Sequence, residues 1–443
     1  MNSDLYINIL ETVVKPWMDM VATGRKPANR TSAQEVYLVS AARTPIGSFR
    51  GCLSQLTAPQ LGSMAIRAAV ERAGIPYKAV QEVYMGQVLQ ASAGQAPARQ
   101  AALGAGLELG TACTTVNKVC ASGMKAIMLA SQSAMLGHQD VLVAGGMESM
   151  SNTPFYLPRG DVPYGGSPLL DSIVADGLTD AYDKIHMGLC GENTAKNMNI
   201  SREEQDEYAI NSYKRSAAAI ESGLIKDEVI PVTIPGKKGK LDIVVMEDEE
   251  YKRIKYEKVS TVSSVFQKNG TITAINASSI NDGAAACVLM SGPAVERLKV
   301  KPLARIVGFA DAAVKPIDFP IAPVPAIEKL LSMTGVSKDK VDMYEVNEAF
   351  SVVVLAVMKQ LGLDPSRMNI HGGAVSLGHP IGMSGARIVL HLAHSLSPGR
   401  LGVAAICNGG GGASALMVEK LELDDPVLSE EWNKASTGGK APL

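Results

Sequence analysis

The sequence predicts an α/β fold built on buried sheets, and two observations carry that expectation. Short β-type runs alternate with helical patterns along most of the chain, as sheets covered by helices read in sequence. One pattern also occurs twice. Ser122-Gly123 opens a helical stretch that leads to DVLVAGG, and Ser384-Gly385 opens another that leads to LGVAAICNGG. The interval from Gly123 to Gly145 is 22 residues and that from Gly385 to Gly409 is 24. Two related α/β halves account for this recurrence, with a chance match as the alternative.

The elements follow in order. Residues 1–34 carry Lys15, Arg25, Lys26 and Arg30, which suit a mitochondrial presequence, and Asp4, Glu11 and Asp19, which do not. A structural helix, a presequence remnant and a non-native extension all remain open for this segment. Glu35–Ser40 reads as a strand, and Leu61–Ala73 as an amphipathic helix ended by Gly74 and Pro76. Asp140–Ala144 reads as a buried strand running into Gly145-Gly146. Residues 151–280 differ in character, with the turn-rich PRGDVPYGGSP and a polar helix pattern opened by Ser201 and Glu204 at capping-box spacing. The charge runs KKGK, EDEE and YKRIKYEK also fall here, and their default reading is a solvated face. We expect an inserted loop lobe. The stretch from Glu422 to Leu443 is polar without periodicity and reads as a disordered tail.

Composition bounds the function. With 443 residues, two to four domains are expected at about 100–200 residues each. Aromatics are only 5% while Gly numbers 42, which points to close backbone packing. A net charge of −2 gives no global field for nucleic acid, so an anionic ligand needs a local patch. The six cysteines, at 52, 113, 120, 190, 287 and 407, form no CxxC pair. Disulfide-scaffold and zinc readings are therefore poor, and free thiols suit a reducing compartment. No uninterrupted apolar run reaches the ~18–20 residues of a membrane helix.

Four segments carry chemistry. In Val116–Lys125 (VNKVCASGMK) an apolar stretch delivers Cys120 to a turn of small residues before a helix pattern. Unpaired N–H groups and the positive dipole end there favour a thiolate, the layout of an activated nucleophile. An inert buried cysteine is the competing reading. In Asn369–Gly385 (NIHGGAVSLGHPIGMSG), His379 lies between Gly378 and Pro380 with backbone free to approach a ligand. In ICNGGGGA, Cys407 ends an apolar strand, and the glycines after it offer bare N–H groups such as an oxyanion hole needs. Tyr344–Phe350 (YEVNEAF) ends a strand with Asn347 and Glu348, and Asn347 could equally cap a helix.

CASGMK, NEAF, GHPIGMSG and CNGGGG, in that order, resemble the thiolases over about residues 35–421. AGGMESMSN, KIHMG, EDEEYKR, FADAAV and DFPIAPV are similar to the acetoacetyl-CoA-cleaving members of animal mitochondria. The resemblance implies the thiolase fold: two similar α/β halves in five layers with an inserted loop lobe, usually a homotetramer. The corresponding boundaries are an extension at 1–34, a first half at 35–150 completed by 281–300, a CoA-binding lobe at 151–280, a second half at 301–421 and a tail at 422–443.

The implied activity is acetyl-CoA C-acetyltransferase in the mitochondrial matrix, with acetyl-CoA, acetoacetyl-CoA and related short acyl-CoA as partners, and neither nucleic acid nor membrane. The resemblance assigns Cys120 as nucleophile and Cys407 as the acid/base for the α-proton. His379 activates Cys120 and, with a water held by Asn347, forms one oxyanion hole. The N–H groups of Cys120 and Gly409 form the other. Coenzyme A, a substrate, would meet His186, Tyr213, Arg253, Ile254, Lys255, Lys258 and Ser278, and no covalently bound cofactor is implied. A potassium ion would lie at Tyr213, Ala274, Ile275, Ala277 and Val375. Phe319-Pro320 would leave room for a 2-methyl branch, against the plain reading of Phe319 as a core residue. His371 stands where many relatives carry Asn. The alternatives are a broader-chain 3-ketoacyl-CoA thiolase, a non-catalytic thiolase-like or RNA-binding protein, and a decarboxylating condensing enzyme. Cys407 argues against the last.

Overall fold

The computed structural model describes residues 33–236 and 241–422. The expectations for most of the N-terminal extension, for the KKGK run and for the tail lie outside these residues.

Ten strands form one large sheet whose central members are near-continuous apolar runs covered on both faces. They are β1 (Val36–Arg43), β2 (Gly47–Ser48), β3 (Glu82–Gly86), β4 (Ala112–Val116), β5 (Val141–Ser149), β6 (Asn281–Ser291), β7 (Ala304–Ala313), β8 (Met343–Val346), β9 (Leu401–Asn408) and β10 (Gly412–Lys420). All residues of β1, β5 and β6 are buried. The strand order is β8-β9-β10-β7-β1-β6-β5-β3-β4, with β2 beside β6. The sheet is mixed: β3 runs parallel to β4 and β5, and β8 parallel to β9. Among the described residues its two parts pair as strands through Tyr37↔Arg305 and Leu38↔Ala304 between β1 and β7.

Helices separate the two parts into layers. They are α1 (Ala58–Ala73), α2 (Pro97–Ala105), α3 (Ser122–Met135), α4 (Met187–Met198), α5 (Arg202–Glu221), α6 (Pro323–Thr334), α7 (Ser351–Leu361), α8 (Ala374–Leu377) and α9 (Ser384–Ser395). Leu61 and Ile66 of α1 and Ala101 of α2 pack with Val83 and Val288 on one outer face. Ile127 of α3 and Leu392 of α9 fill the space between Leu289 and Leu416 of the two sheet parts. Ile327 of α6 and Val353 of α7 cover Val403 and Met417 on the other outer face. The five layers are helix, sheet, helix, sheet and helix.

The repeated Ser-Gly pairs open the two central helices, α3 and α9. A Cβ on Gly123 would lie 2.8 Å from the Ala386 nitrogen, and one on Gly385 would lie 2.7 Å from the Met124 nitrogen. The two helix starts meet backbone to backbone, an approach only glycine allows. This crossing brings Cys120 and the His379 loop to one place.

Local signals hold with extended ends. The helix read from Leu61 begins at Ala58, because Thr57 and Gln60 form a capping box, and Gly74 closes it at φ 66°. Ser201 and Glu204 form the expected capping box of α5. The strand read at Asp140–Ala144 runs to Ser149, since it pairs with β6 along its whole length. EDEE is solvated only at Glu247, while Asp248 and Glu250 are buried. Asp248 accepts both Arg43 guanidinium N–H groups at 2.7 and 2.9 Å, and Glu249 accepts the Ser48 and Cys52 N–H groups. Buried carboxylates with such partners stitch residues 247–250 to the β1–β2 turn. Among the described residues no helix is long and apolar enough to cross a membrane.

Candidate active site

Between β4 and α3 the chain makes a tight turn. Val119 takes φ 48°, Lys118 N–H donates to Ser122 Oγ at 2.8 Å, and Ala121 N–H donates to Lys118 O at 3.1 Å. Cys120 is held at the tip, one residue before the α3 N-cap at Ala121. The Gly409 N–H, in the turn that follows β9, lies near enough to pull the Cys120 thiol down. Cys407 is buried at the end of β9, close enough for Cys120 to perturb it.

His379 lies between α8 and α9. Its own N–H donates to Asn281 Oδ1 at 3.0 Å. Its Nδ1 is 2.6 Å from Ser384 Oγ, and Ser384 donates its one hydroxyl proton to Pro380 O at 2.9 Å. Ser384 must therefore accept from Nδ1–H, which leaves the lone pair on Nε2. That Nε2 is buried and without a hydrogen-bond partner, as are both carboxamide atoms of Asn347. Stranding one such group costs about 1–3 kcal/mol. The unpartnered Nε2 of His379 leaves that position open to a polar guest.

The electrostatics correct one sequence-based expectation. Burial pushes the Cys120 thiol up to about 12, against the Gly409 and Cys120 N–H groups that pull it down. Desolvation outweighs the helix terminus, so Cys120 is a thiol rather than a standing thiolate. Cys407 is likewise not poised near neutrality, because burial and then Cys120 raise it. Burial, followed by the Arg387 charge, pulls His379 down to about 3, so it is a neutral imidazole able to accept a proton.

Cys120 and His379 together line a cleft of about 350 Å³. His186, Ser278, Ala274, Ala277 and Phe319 line it too. His186 stacks on Phe266 at 4.6 Å and caps α4 through its Nδ1. Ser278 donates from both Oγ and N to Ala349 O. Phe319 is both a cleft and a core residue, only 3% exposed. Tyr213, Val375, Ile254 and Ile275 pack in one small cluster and do not line the cleft. Arg253, Lys255 and Lys258 are exposed and do not line the cleft, and Arg253 reaches Glu250 at 3.4 Å.

Sequence reasoning missed several partners. Ser384 sets the His379 tautomer. Glu348, quoted within NEAF without a role, accepts from Tyr208, Ser212, Asn369 and the Val375 N–H. Glu148 accepts the Val88, Leu89 and Gly382 N–H groups and so holds the loop after His379. His371 meets His391 at 3.0 Å. The only advance signal was each residue's place inside a motif already singled out.

A layered α/β enzyme with a cysteine and a histidine on one acyl-sized cleft, and a second cysteine near the first, is the class that this fold and site define. Family models for the thiolase N-terminal domain and the thiolase C-terminal domain match residues 36–293 and 300–420. The chain belongs to the thiolase family. It is 65% identical over 398 residues to the mitochondrial acetyl-CoA acetyltransferase of Mus musculus, covering 90% of this chain and 94% of that one. Its human counterpart is 64% identical over 398 residues, with 90% and 93% covered. Among solved structures, the Acat5 thiolase of Ascaris suum in complex with coenzyme A matches with TM-score 0.85 at 48% identity, over 88% of this chain and all of that one.

Proposed function

We propose that the protein is an acetyl-CoA C-acetyltransferase, which joins two acetyl-CoA molecules into acetoacetyl-CoA and CoA and catalyses the reverse thiolysis. The observation that carries this is Cys120 and the unpartnered His379 Nε2 on one cleft, with the Cys407–Gly409 turn near enough to perturb the Cys120 thiol. His379 Nε2 takes the Cys120 proton, and the sulfur attacks the thioester carbonyl. Cys407 gives its proton to the departing CoA thiolate. The resulting Cys407 thiolate, strongly basic because it is buried, then removes the α-proton of a second acetyl-CoA. The carbanion attacks acetyl-Cys120, and Cys120 leaves and recovers its proton from His379. The Cys120 and Gly409 N–H groups stabilise one oxyanion. Protonated Nε2, with a water on Asn347, stabilises the other.

Coenzyme A lies along the lobe of residues 151–280, against His186, Tyr213, Ile254 and Ser278, with Arg253, Lys255 and Lys258 toward its anionic ADP end. The coenzyme A complex of the Ascaris relative supports this reading. That lobe separates the two parts of the first half, residues 35–150 and 281–300, and the second half spans 301–421. Tyr213, Ala274, Ile275, Ala277 and Val375 would hold a potassium ion through carbonyl oxygens, and the packing of Tyr213, Ile275 and Val375 in one cluster is consistent with that. The ion would supply rigidity to the CoA-facing loops. Phe319 on the cleft wall suits a 2-methyl branch on the substrate. The homotetramer and the mitochondrial matrix complete the assignment, the latter supported by the mitochondrial names of the relatives. Steady-state thiolysis is the test. Acetoacetyl-CoA should exceed a long-chain 3-ketoacyl-CoA in kcat/KM, and the reverse order would make this a broader-chain thiolase.

A further inference from the structure

The nucleophile and the acid/base belong to different sheet parts, so something must fix their separation. Cys120 follows β4, at the far edge of the part that contains β1. Cys407 and Gly409 end β9, in the other part. The backbone junction between the parts, β1 with β7, comprises only two residue pairs.

One side chain crosses the gap at the site itself. Lys118 forms the Cys120 turn with its backbone, as described above. Its ammonium meets four acceptors on the other part: Asn408 Oδ1 at 3.2 Å, Ala413 O at 3.1 Å, Ser414 Oγ at 2.9 Å and Asp311 Oδ1 at 3.0 Å. Asn408 is the residue between Cys407 and Gly409. Its amide donates to Gly409 O at 2.8 Å, so Lys118 holds one end of a side chain whose other end fixes the oxyanion turn. Asp311 is anchored independently, by Ser414 at 2.6 Å and Lys125 at 2.6 Å. The Lys118 side chain is about three-quarters buried, which keeps this set of contacts from being loosened by water.

We infer that Lys118 is a positioning residue: its ammonium, clamped by Asn408, Ala413, Ser414 and Asp311, sets the distance between the Cys120 turn and the Cys407–Gly409 turn. It touches neither substrate nor transferred atom. Its effect belongs to kcat, because the CoA-facing lobe makes none of these contacts. A misplacement of ~1 Å costs on the order of 100-fold in such sites.

The inference rests on the assignment of Cys120 and Cys407 above, and the test separates the two. Steady-state condensation and thiolysis would be measured for wild type, Lys118→Met, Lys118→Arg and Lys125→Met. Lys125→Met removes the other ammonium from Asp311 without touching the cysteine turn. Lys118→Met is expected to lower kcat about 10- to 100-fold with KM for acetyl-CoA within about twofold. Lys118→Arg should recover part of that loss, and Lys125→Met should keep kcat within about threefold. Equal losses in Lys118→Met and Lys125→Met, a rise in KM as large as the fall in kcat, or an undiminished kcat in Lys118→Met would overturn it. If Lys118→Met does not fold, Lys118→Arg decides: a lowered kcat at constant KM supports the clamp, and wild-type kcat removes it. Acetyl-enzyme formation by Cys120→Ala would defeat the cysteine assignment whatever the Lys118 variants do.

Discussion

Ser384→Ala should slow acylation of Cys120 while leaving substrate affinity nearly intact. Ser384 is buried and accepts the His379 Nδ1–H at 2.6 Å, its own proton being given to Pro380 O. That bond fixes the tautomer in which Nε2 can take the Cys120 proton. Alanine strands Nδ1–H in a buried site, at a cost of about 1–3 kcal/mol, and the ring can escape that cost by moving its proton to Nε2. The reactive tautomer is then disfavoured by the same amount. At 1.36 kcal/mol per tenfold, acylation should slow by about 5- to 150-fold. The thiol is pushed up to about 12 by burial, so spontaneous thiolate cannot replace the base at neutral pH. Rapid-quench measurement of acetyl-Cys120 from labelled acetyl-CoA gives the rate directly. A Ser384→Ala enzyme that acylates within twofold of wild type would refute the tautomer argument.

Glu348→Gln replaces an acceptor of four donors, the nearest being Tyr208 Oη at 2.7 Å, by an amide that must turn a donor toward one of them. Urea unfolding should show a loss of about 2–4 kcal/mol. For His391, burial lowers the pKa but Glu228 more than offsets it, so the native value lies above 6.5. Its stabilisation is full below 6.5 and fades as pH rises through the raised native value. Burial would raise Glu228, yet Arg43 and His391 hold it well below 4.5, so its contribution is lost as pH falls. The stability gap between wild type and His391→Asn, about 1–3 kcal/mol, should thus peak between 4.5 and 6.5 and shrink toward pH 9, as read by unfolding across that range. Charge reversal at Arg253 and Lys258 should raise KM for coenzyme A about tenfold, roughly one charge-assisted contact, and leave pantetheine thioesters unaffected. Equal effects on both would move the ADP end elsewhere.

What was legible in the sequence was local. Gly74, Ser201 and Glu204 announce helix ends because capping acts within one turn, whereas the Thr57 cap before Ala58 went unread. The Ser-Gly pairs at 122–123 and 384–385 gave the two central helices, and the glycine run after Cys407 gave an N–H near enough to lower the Cys120 thiol. Long-range facts were hidden. β1 pairs with β6 across more than two hundred residues of sequence, and nothing near Val36 says so. Asp248 looked solvated within EDEE because its partner Arg43 is remote in sequence. The thiolate expectation for Cys120 failed for the same reason. The helix terminus is visible in CASGMK, whereas the desolvation that overrides it comes from packing around the whole cleft.

The division of labour between the two cysteines is tested most directly by incubating Cys120→Ala and Cys407→Ala with doubly labelled acetyl-CoA, radioactive in the acetyl carbon and tritiated at the α-position. Cys120→Ala should take up no acetyl label. Cys407→Ala should become acetylated at Cys120 yet neither release tritium to water nor form acetoacetyl-CoA. Acetyl-enzyme on the Cys120→Ala protein, or wild-type tritium release from Cys407→Ala, would contradict the account.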